Sequence, residues 1–341
     1  MMNTTDNRPS LGVIFHPSYP PKSLADFARR AEVAGFNELW LWDDCFLPGA
    51  LTSAAIALTA TEKIKVGIGL LPVPACNPLF AAMEITTLAS AFPGRFIPGF
   101  GHGVASWMDQ IGSLPKSPLK ALEETLQAVR SLLAGETVNM QGSWVHLKDV
   151  QMDLIPPVIP DLYVGAIREK SLRLAGRLGD GTILTSLSSP AYIRWAITQI
   201  NIGMQEAARE RHRIVLYLDV KVNENRQQAR LAARRTMAAR LPWDDAKLEA
   251  LGITREVEDF LRTHTTCEEI VRDFPEHWLD DFCAAGSVEE VAMAIHKRYD
   301  AGADAIIFEP LDGDPACLDE YITHLPGILN ILSTLKAKGT G

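Results

Sequence analysis

Arg95-Phe96-Ile97-Pro98-Gly99-Phe100-Gly101-His102-Gly103-Val104 is an apolar run that stops abruptly in a Gly-His-Gly turn. The turn holds an imidazole between two residues without side chains, and a backbone stripped of Cβ atoms can approach a flat ligand closely. Upstream, Asn37-Glu38-Leu39-Trp40-Leu41-Trp42 ends in Asp43-Asp44; downstream, Leu162-Tyr163-Val164-Gly165-Ala166 runs into the charged helical pattern Arg168-Glu169-Lys170-Ser171. Three strand ends thus carry candidate chemistry, each followed by a helix.

The same alternation extends along the chain. Apolar runs predict strands at 11–15, 39–42, 64–71, 95–100, 162–165, 182–185, 214–222 and 305–308, and amphipathic or Ala-rich stretches predict helices at 23–34, 50–61, 79–92 and 118–133. Alternation argues for a parallel sheet covered by helices, and eight strands argue for a closed (β/α)8 TIM barrel rather than a doubly wound sheet. A length of 341 residues suits one such domain, 1–341, with a flexible tail at 1–10. A hairpin is expected at 137–147, turning at Gln141-Gly142. Residues 241–286 depart from the repeat as an insertion before the last helix and strand, to be read either as a lid at the barrel mouth or as a solvated surface insertion.

Composition narrows the function class. With 33 Lys and Arg against 42 Asp and Glu, the formal charge is -9, which argues against nonspecific nucleic-acid binding because that requires a basic face. The five cysteines, Cys45, Cys76, Cys267, Cys283 and Cys317, are scattered without C-x-x-C spacing, which fits a reduced cytoplasmic setting. No N-terminal signal pattern or membrane-length apolar run is visible, so a soluble protein without a membrane partner is expected.

In a barrel, catalytic side chains sit at the C-terminal strand ends. Those ends supply His16, Asp43-Asp44, Leu70-Leu71, Gly101-His102-Gly103, Gly165-Ala166, Thr185-Ser186 and Glu309. No H-x-x-x-H, H-E-x-x-H, P-loop or G-x-G-x-x-G spacing appears, so no metal site is expected. His102 reads as an acid or base, or as an ordinary residue of a tight turn. His16, before Pro17, reads equally as structural. Asp43 and Asp44 read as chemistry or as helix caps, adjacent carboxylates being costly unless paired or hydrogen-bonded. Gly165, Ala166, Ile167 and Arg168 lead into a helix whose N-terminus offers an anion site, or simply form a short βα turn. Trp40, Trp42 and Trp107 read as wall aromatics.

Beyond these positions, the quoted turn with Trp107-Met108, together with Ala34-Gly35-Phe36-Asn37-Glu38-Leu39-Trp40, Ala60-Thr61-Glu62-Lys63-Ile64-Lys65-Val66-Gly67-Ile68-Gly69, Phe92-Pro93-Gly94-Arg95-Phe96 and Lys170-Ser171-Leu172-Arg173-Leu174-Ala175-Gly176 leading to Asp180-Gly181, resembles the bacterial luciferase-like flavin/deazaflavin oxidoreductase superfamily. The resemblance covers about residues 11–220 and is nearest the branch that uses 8-hydroxy-5-deazaflavin, coenzyme F-420. It implies a (β/α)8 barrel with the ring at the C-terminal face. It also implies a ring contact beside Asp43, a strand-three bulge with a cis peptide at Gly69-Leu70, and ring contacts along Gly101, His102, Gly103 and Val104. The cofactor phosphate would lie in the turn from Gly165 to Arg168.

Two departures stand out. Deazaflavin-dependent sugar-phosphate and alcohol dehydrogenases of this family carry Asp-His after strand two and a Glu after the Gly-x-Gly turn, where this chain has Asp44 and Val104. A glucose-6-phosphate role is therefore not expected, and proton work falls to His102, Asp44 or His16. The expected function is hydride transfer between deazaflavin C5 and a small organic substrate. The alternatives are an FMN-dependent monooxygenase of the same fold and a non-catalytic flavin-binding relative. The apolar helix at 50–60 suits a homodimer face.

Overall fold

The structure is a computed structural model describing residues 10–241, 245–311 and 314–339. Its strands are β1 (Ser10–Ile14), β2 (Glu38–Leu41), β3 (Lys65–Pro72), β4 (Phe96–Gly101), β5 (Val138–Gln141), β6 (His146–Val150), β7 (Tyr163–Gly165), β8 (Gly181–Leu184), β9 (Arg213–Val222), β10 (Ala284–Gly286) and β11 (Ala305–Pro310). Among the described residues, β5 and β6 form a separate antiparallel pair, and the other nine form one sheet in the order β10-β9-β11-β1-β2-β3-β4-β7-β8, with β8 also pairing β9. The fold is the expected (β/α)8 barrel, its eight strands joined by the short β10.

Three boundaries differ from the sequence reading. Of the tail expected at 1–10, residues 1–9 lie outside the described residues, while Ser10 begins β1 and its carbonyl accepts the Tyr299 hydroxyl at 2.8 Å. The hairpin turns at 142–145, later than Gln141-Gly142. There the Glu124 carboxylate gathers the Ser143, Trp144 and Val145 N–H groups at 2.8–2.9 Å and sets the turn from outside the hairpin. The third is β10, missed because Ala-Ala-Gly has neither β-branched nor aromatic residues.

Residues 13–184 and 195–214 form one compact unit. Here Trp40 is fully buried, and a Cβ on Gly67 would lie 2.5 Å from its ring, so glycine is required for β2 and β3 to pack. The indole donates to Glu38 Oε2 at 2.8 Å, and Arg213 pairs with the other oxygen, which makes this buried carboxylate tolerable. Arg95 donates to the Ile64 and Thr61 carbonyls at 3.1 and 2.9 Å, while Glu32 accepts the Lys63 and Ile64 N–H groups at 2.6 and 2.8 Å. The entry to β3 is therefore held from both sides.

The second unit comprises the described residues up to Gly12, 185–194, and those from 215 onward. Its departure from the βα repeat consists of the helices Asp245–Leu251, Thr254–Thr263, Cys267–Asp273 and Glu276–Phe282. Phe274, Trp278, Leu279 and Phe282 share a buried cluster with Met237 and Leu241. The segment therefore shares a buried apolar cluster with the helix that precedes it.

Candidate active site

In the first unit, strand burial gives way at the C-terminal ends. Along β3 the buried run is broken at Gly69 and Leu70, where the register with β4 also shifts. The Gly69-Leu70 peptide is cis, as the resemblance implied. His16, Trp42, Asp43, Asp44, His102, Gly103 and Ile167 are likewise half-buried, and Val104 is exposed. This band of partly open polar and apolar groups is the candidate site.

Asp43 is tied on both sides. Its N–H donates to the Leu70 carbonyl at 3.1 Å, and its Oδ1 accepts the Ala50 N–H at 2.6 Å, at the start of the helix Ala50–Ala60. Burial raises its carboxyl above the usual range against the pull of the Ala50 N–H, and the Asp44 charge adds to the rise. Asp43 Oδ1 thus satisfies the first N–H of that helix. Asp44 stands half-open beside it.

His102 reaches sideways. Its Nε2 lies 2.8 Å from the Ser171 hydroxyl, in the helix Glu169–Leu178, and its Nδ1 is buried without a hydrogen-bond partner among the described residues. Burial lowers its pKa, the Pro118 carbonyl opposing the shift. The contact between His102 and Ser171 ties the Gly101–Gly103 turn to that helix. His16 Nδ1 accepts the Ser18 N–H at 3.2 Å and lies 2.7 Å from its hydroxyl, which leaves the ring proton on Nε2. Its ring meets Trp42 edge-on at 5.3 Å.

Two of the glycines make room for Leu70. A Cβ on Gly101 would lie 2.2 Å from Leu70 Cδ2, and one on Gly165 would lie 2.6 Å from the same atom. The space left by their missing side chains is filled by Leu70. Gly103, at φ +70°, is the tight-turn glycine. Ala166 donates to the Ile183 carbonyl at 3.5 Å, and Arg168 is the exposed N-cap before Glu169, so the turn does open onto a helix N-terminus.

Sequence reasoning did not single out Ser171 or, in the second unit, Asp219, Arg240 and Lys247. Ser171 carries no signal of its own. Asp219 had one: it is a lone carboxylate inside Leu-Tyr-Leu-Asp-Val, a strand otherwise apolar. Among the described residues no cluster of His, Cys, Asp and Glu suits a metal ion, all five cysteines are free, and no helix is long and apolar enough to cross a membrane.

The chain is similar to several known proteins. A 5,10-methylenetetrahydromethanopterin reductase of Archaeoglobus fulgidus is 26% identical over 306 residues, spanning 87% of this chain and 92% of its own. A coenzyme F-420-dependent glucose-6-phosphate dehydrogenase of Kineococcus radiotolerans is 25% identical over 304 residues, spanning 85% and 87%. Among solved structures, the coenzyme F-420-dependent tetrahydromethanopterin reductase of Methanopyrus kandleri superposes with a TM-score of 0.80 at 23% identity, covering 94% of this chain and 99% of its own. The profile of the luciferase-like monooxygenases matches residues 4–305, and the chain belongs to that family.

Proposed function

We propose that this protein is a cytoplasmic, coenzyme F-420-dependent oxidoreductase that moves a hydride between cofactor C5 and a small organic substrate. The observation that carries the reading is the half-buried band at the ends of β2, β3 and β4, in a chain whose relatives are named for that cofactor. Bound deazaflavin supplies a carbon centre that gives or takes two electrons as hydride. The residues fit such a group. Leu70, backed by Gly101 and Gly165, offers an apolar surface; Gly103 and Val104 border it; and the N-terminus of Glu169–Leu178, reached through Gly165, Ala166, Ile167 and Arg168, suits an anion despite the net charge of -9.

In this reading His102 and Ser171 tie the Gly101–Gly103 turn to the helix that receives the phosphate, and Asp43 holds β3 in place. Asp44 and Val104 occupy the positions where sugar-phosphate dehydrogenases of the family carry their acid–base residues, so a glucose-6-phosphate substrate is not proposed. The free cysteines support the cytoplasmic setting. The outward-facing Ile56, Phe80 and Met83 support a homodimer built on Ala50–Ala60 and Pro78–Ala91.

Titration of purified apoprotein with deazaflavin and with FMN tests the assignment. Deazaflavin fluorescence is expected to respond at lower ligand concentration. Tight binding of FMN with no response to deazaflavin would replace the reading by a flavin-dependent one.

A further inference from the structure

The chain leaves β2 through Trp42-Asp43-Asp44-Cys45-Phe46-Leu47-Pro48-Gly49 before the helix Ala50–Ala60 begins. The root of this loop is pinned, since the Asp43 N–H donates to the Leu70 carbonyl at 3.1 Å and Asp43 Oδ1 accepts the Ala50 N–H at 2.6 Å. Within it the Leu47 N–H donates to the Asp44 carbonyl at 3.0 Å, which closes a turn with Phe46 in its third place. Phe46 has φ +81°, a region that turns reserve for glycine or asparagine because a Cβ there crowds the backbone. Its side chain is also 72% exposed. The residue therefore costs stability through its backbone and recovers none of it by burial, and such positions gather where a protein binds or reacts.

The surroundings share this character. Leu47 is exposed next to Phe46, and Val104, Ile111 and Leu114 are exposed in the segment that follows β4, so two loops at the C-terminal ends of strands leave apolar side chains open to water. A pocket of about 270 Å³, counting the space open at its mouth, adjoins the loop after β2; Pro17, Tyr19, Leu41, Trp42 and Pro48 help to line it, and none of its lining residues is charged. Charge in the two loops is one-sided. Residues 42–49 and 102–115 contain Asp43, Asp44 and Asp109 and no lysine or arginine. A phosphate or carboxylate brought here meets carboxylates and no cation from either loop. An uncharged apolar group meets side chains whose removal from water is favourable.

We propose that Phe46 is a specificity-determining residue, and that the substrate is a molecule without negative charge whose apolar ring or chain lies against it. The inference rests on the hydride-transfer reading and names the substrate class for it. Because the turn fixes the backbone of Phe46 before anything binds, its ring is presented with little ordering left to lose. Burial of the exposed ring by the substrate supplies the stabilisation that the folded chain alone does not receive. A sugar phosphate offers neither the apolar face nor a charge that these loops accept.

The test is ligand-observed NMR titration of three ketones, with and without added deazaflavin. Acetophenone carries an apolar ring, 4-acetylbenzoate the same ring with a carboxylate, and dihydroxyacetone neither. Acetophenone is expected to bind more tightly than either of the others. Phe46→Gly is expected to weaken acetophenone binding about tenfold, the worth of about 50–60 Å² of apolar surface returned to water. Its Tm is expected to be unchanged or higher, because glycine takes the turn without strain. Phe46→Tyr keeps the ring and is expected to keep the affinity. No preference for acetophenone, an acetophenone affinity unmoved by Phe46→Gly, or a Tm lowered by several degrees in that variant overturns the proposal. A changed oligomeric state in Phe46→Gly with acetophenone affinity intact also overturns it, and assigns the ring to contact with a second copy of the chain. The tenfold loss in a protein that does not take up deazaflavin leaves the apolar specificity standing and removes only the cofactor reading.

Discussion

Replacing Glu124 by Gln tests the reasoning about buried charge at a place with no part in the chemistry. The residue is 3% exposed in the helix Pro118–Leu133, and its carboxylate accepts the Ser143, Trp144 and Val145 N–H groups and the Ser143 hydroxyl at 2.8–3.1 Å. Burial alone would raise its pKa, but the backbone donors outweigh burial and hold it at about 2 instead of 4.5. At about 1.4 kcal/mol per pH unit, with some discount for solvent screening, the charged form contributes about 2–3 kcal/mol near neutrality. Because the folded value is depressed, that contribution is present above the ordinary glutamate value and is lost as pH falls toward about 2. Glu124→Gln turns an amide NH2 toward N–H donors. It should speed hydrogen exchange at residues 143–145 by about 30-fold or more at pH 7, and by much less at about pH 3. Gly142→Ala is the independent check, since its Cβ would lie 2.2 Å from Glu124 Oε2 and must displace the carboxylate. The two changes should add to less than their sum. Unchanged exchange at pH 7, or a loss equally large in acid, would refute the argument.

Two further outcomes follow from the site and its scaffold. Gly99→Ala should destabilise by about 1–3 kcal/mol in denaturant melts, because its Cβ would lie 2.3 Å from the Ile68 carbonyl oxygen, a backbone atom that cannot swing aside. His102→Ala and Ser171→Ala should each weaken deazaflavin binding about tenfold, the worth of one hydrogen bond, as read by fluorescence titration. Turnover lost by 100-fold or more with affinity intact in His102→Ala would instead make the imidazole the proton donor.

The barrel was legible because its signal is periodic: a run of apolar strands, each followed by an amphipathic helix, admits few architectures. Gly69-Leu70 and the Gly101–Gly103 turn were legible because they lie within contiguous stretches matching a family. What stayed hidden depends on partners remote in sequence. His102 meets Ser171, 69 residues on, and Asp43 becomes a cap only because Ala50 folds back onto it. Asp219 and Glu309 become a pair only through the pairing of β9 with β11, and Arg240 joins them from a helix between. Local pattern carries no term for such meetings.

The wedging of Leu70 between Gly101 and Gly165 makes these three positions, on three strands, a single unit of volume. A methyl added at either glycine can be accommodated only by taking carbon atoms away at position 70, so Leu70→Ala should rescue Gly101→Ala where each alone impairs packing. The shape of this floor is then adjustable by exchanging bulk among strands while its total stays constant. A designer seeking room for a larger ring-bearing ligand would change the three residues together.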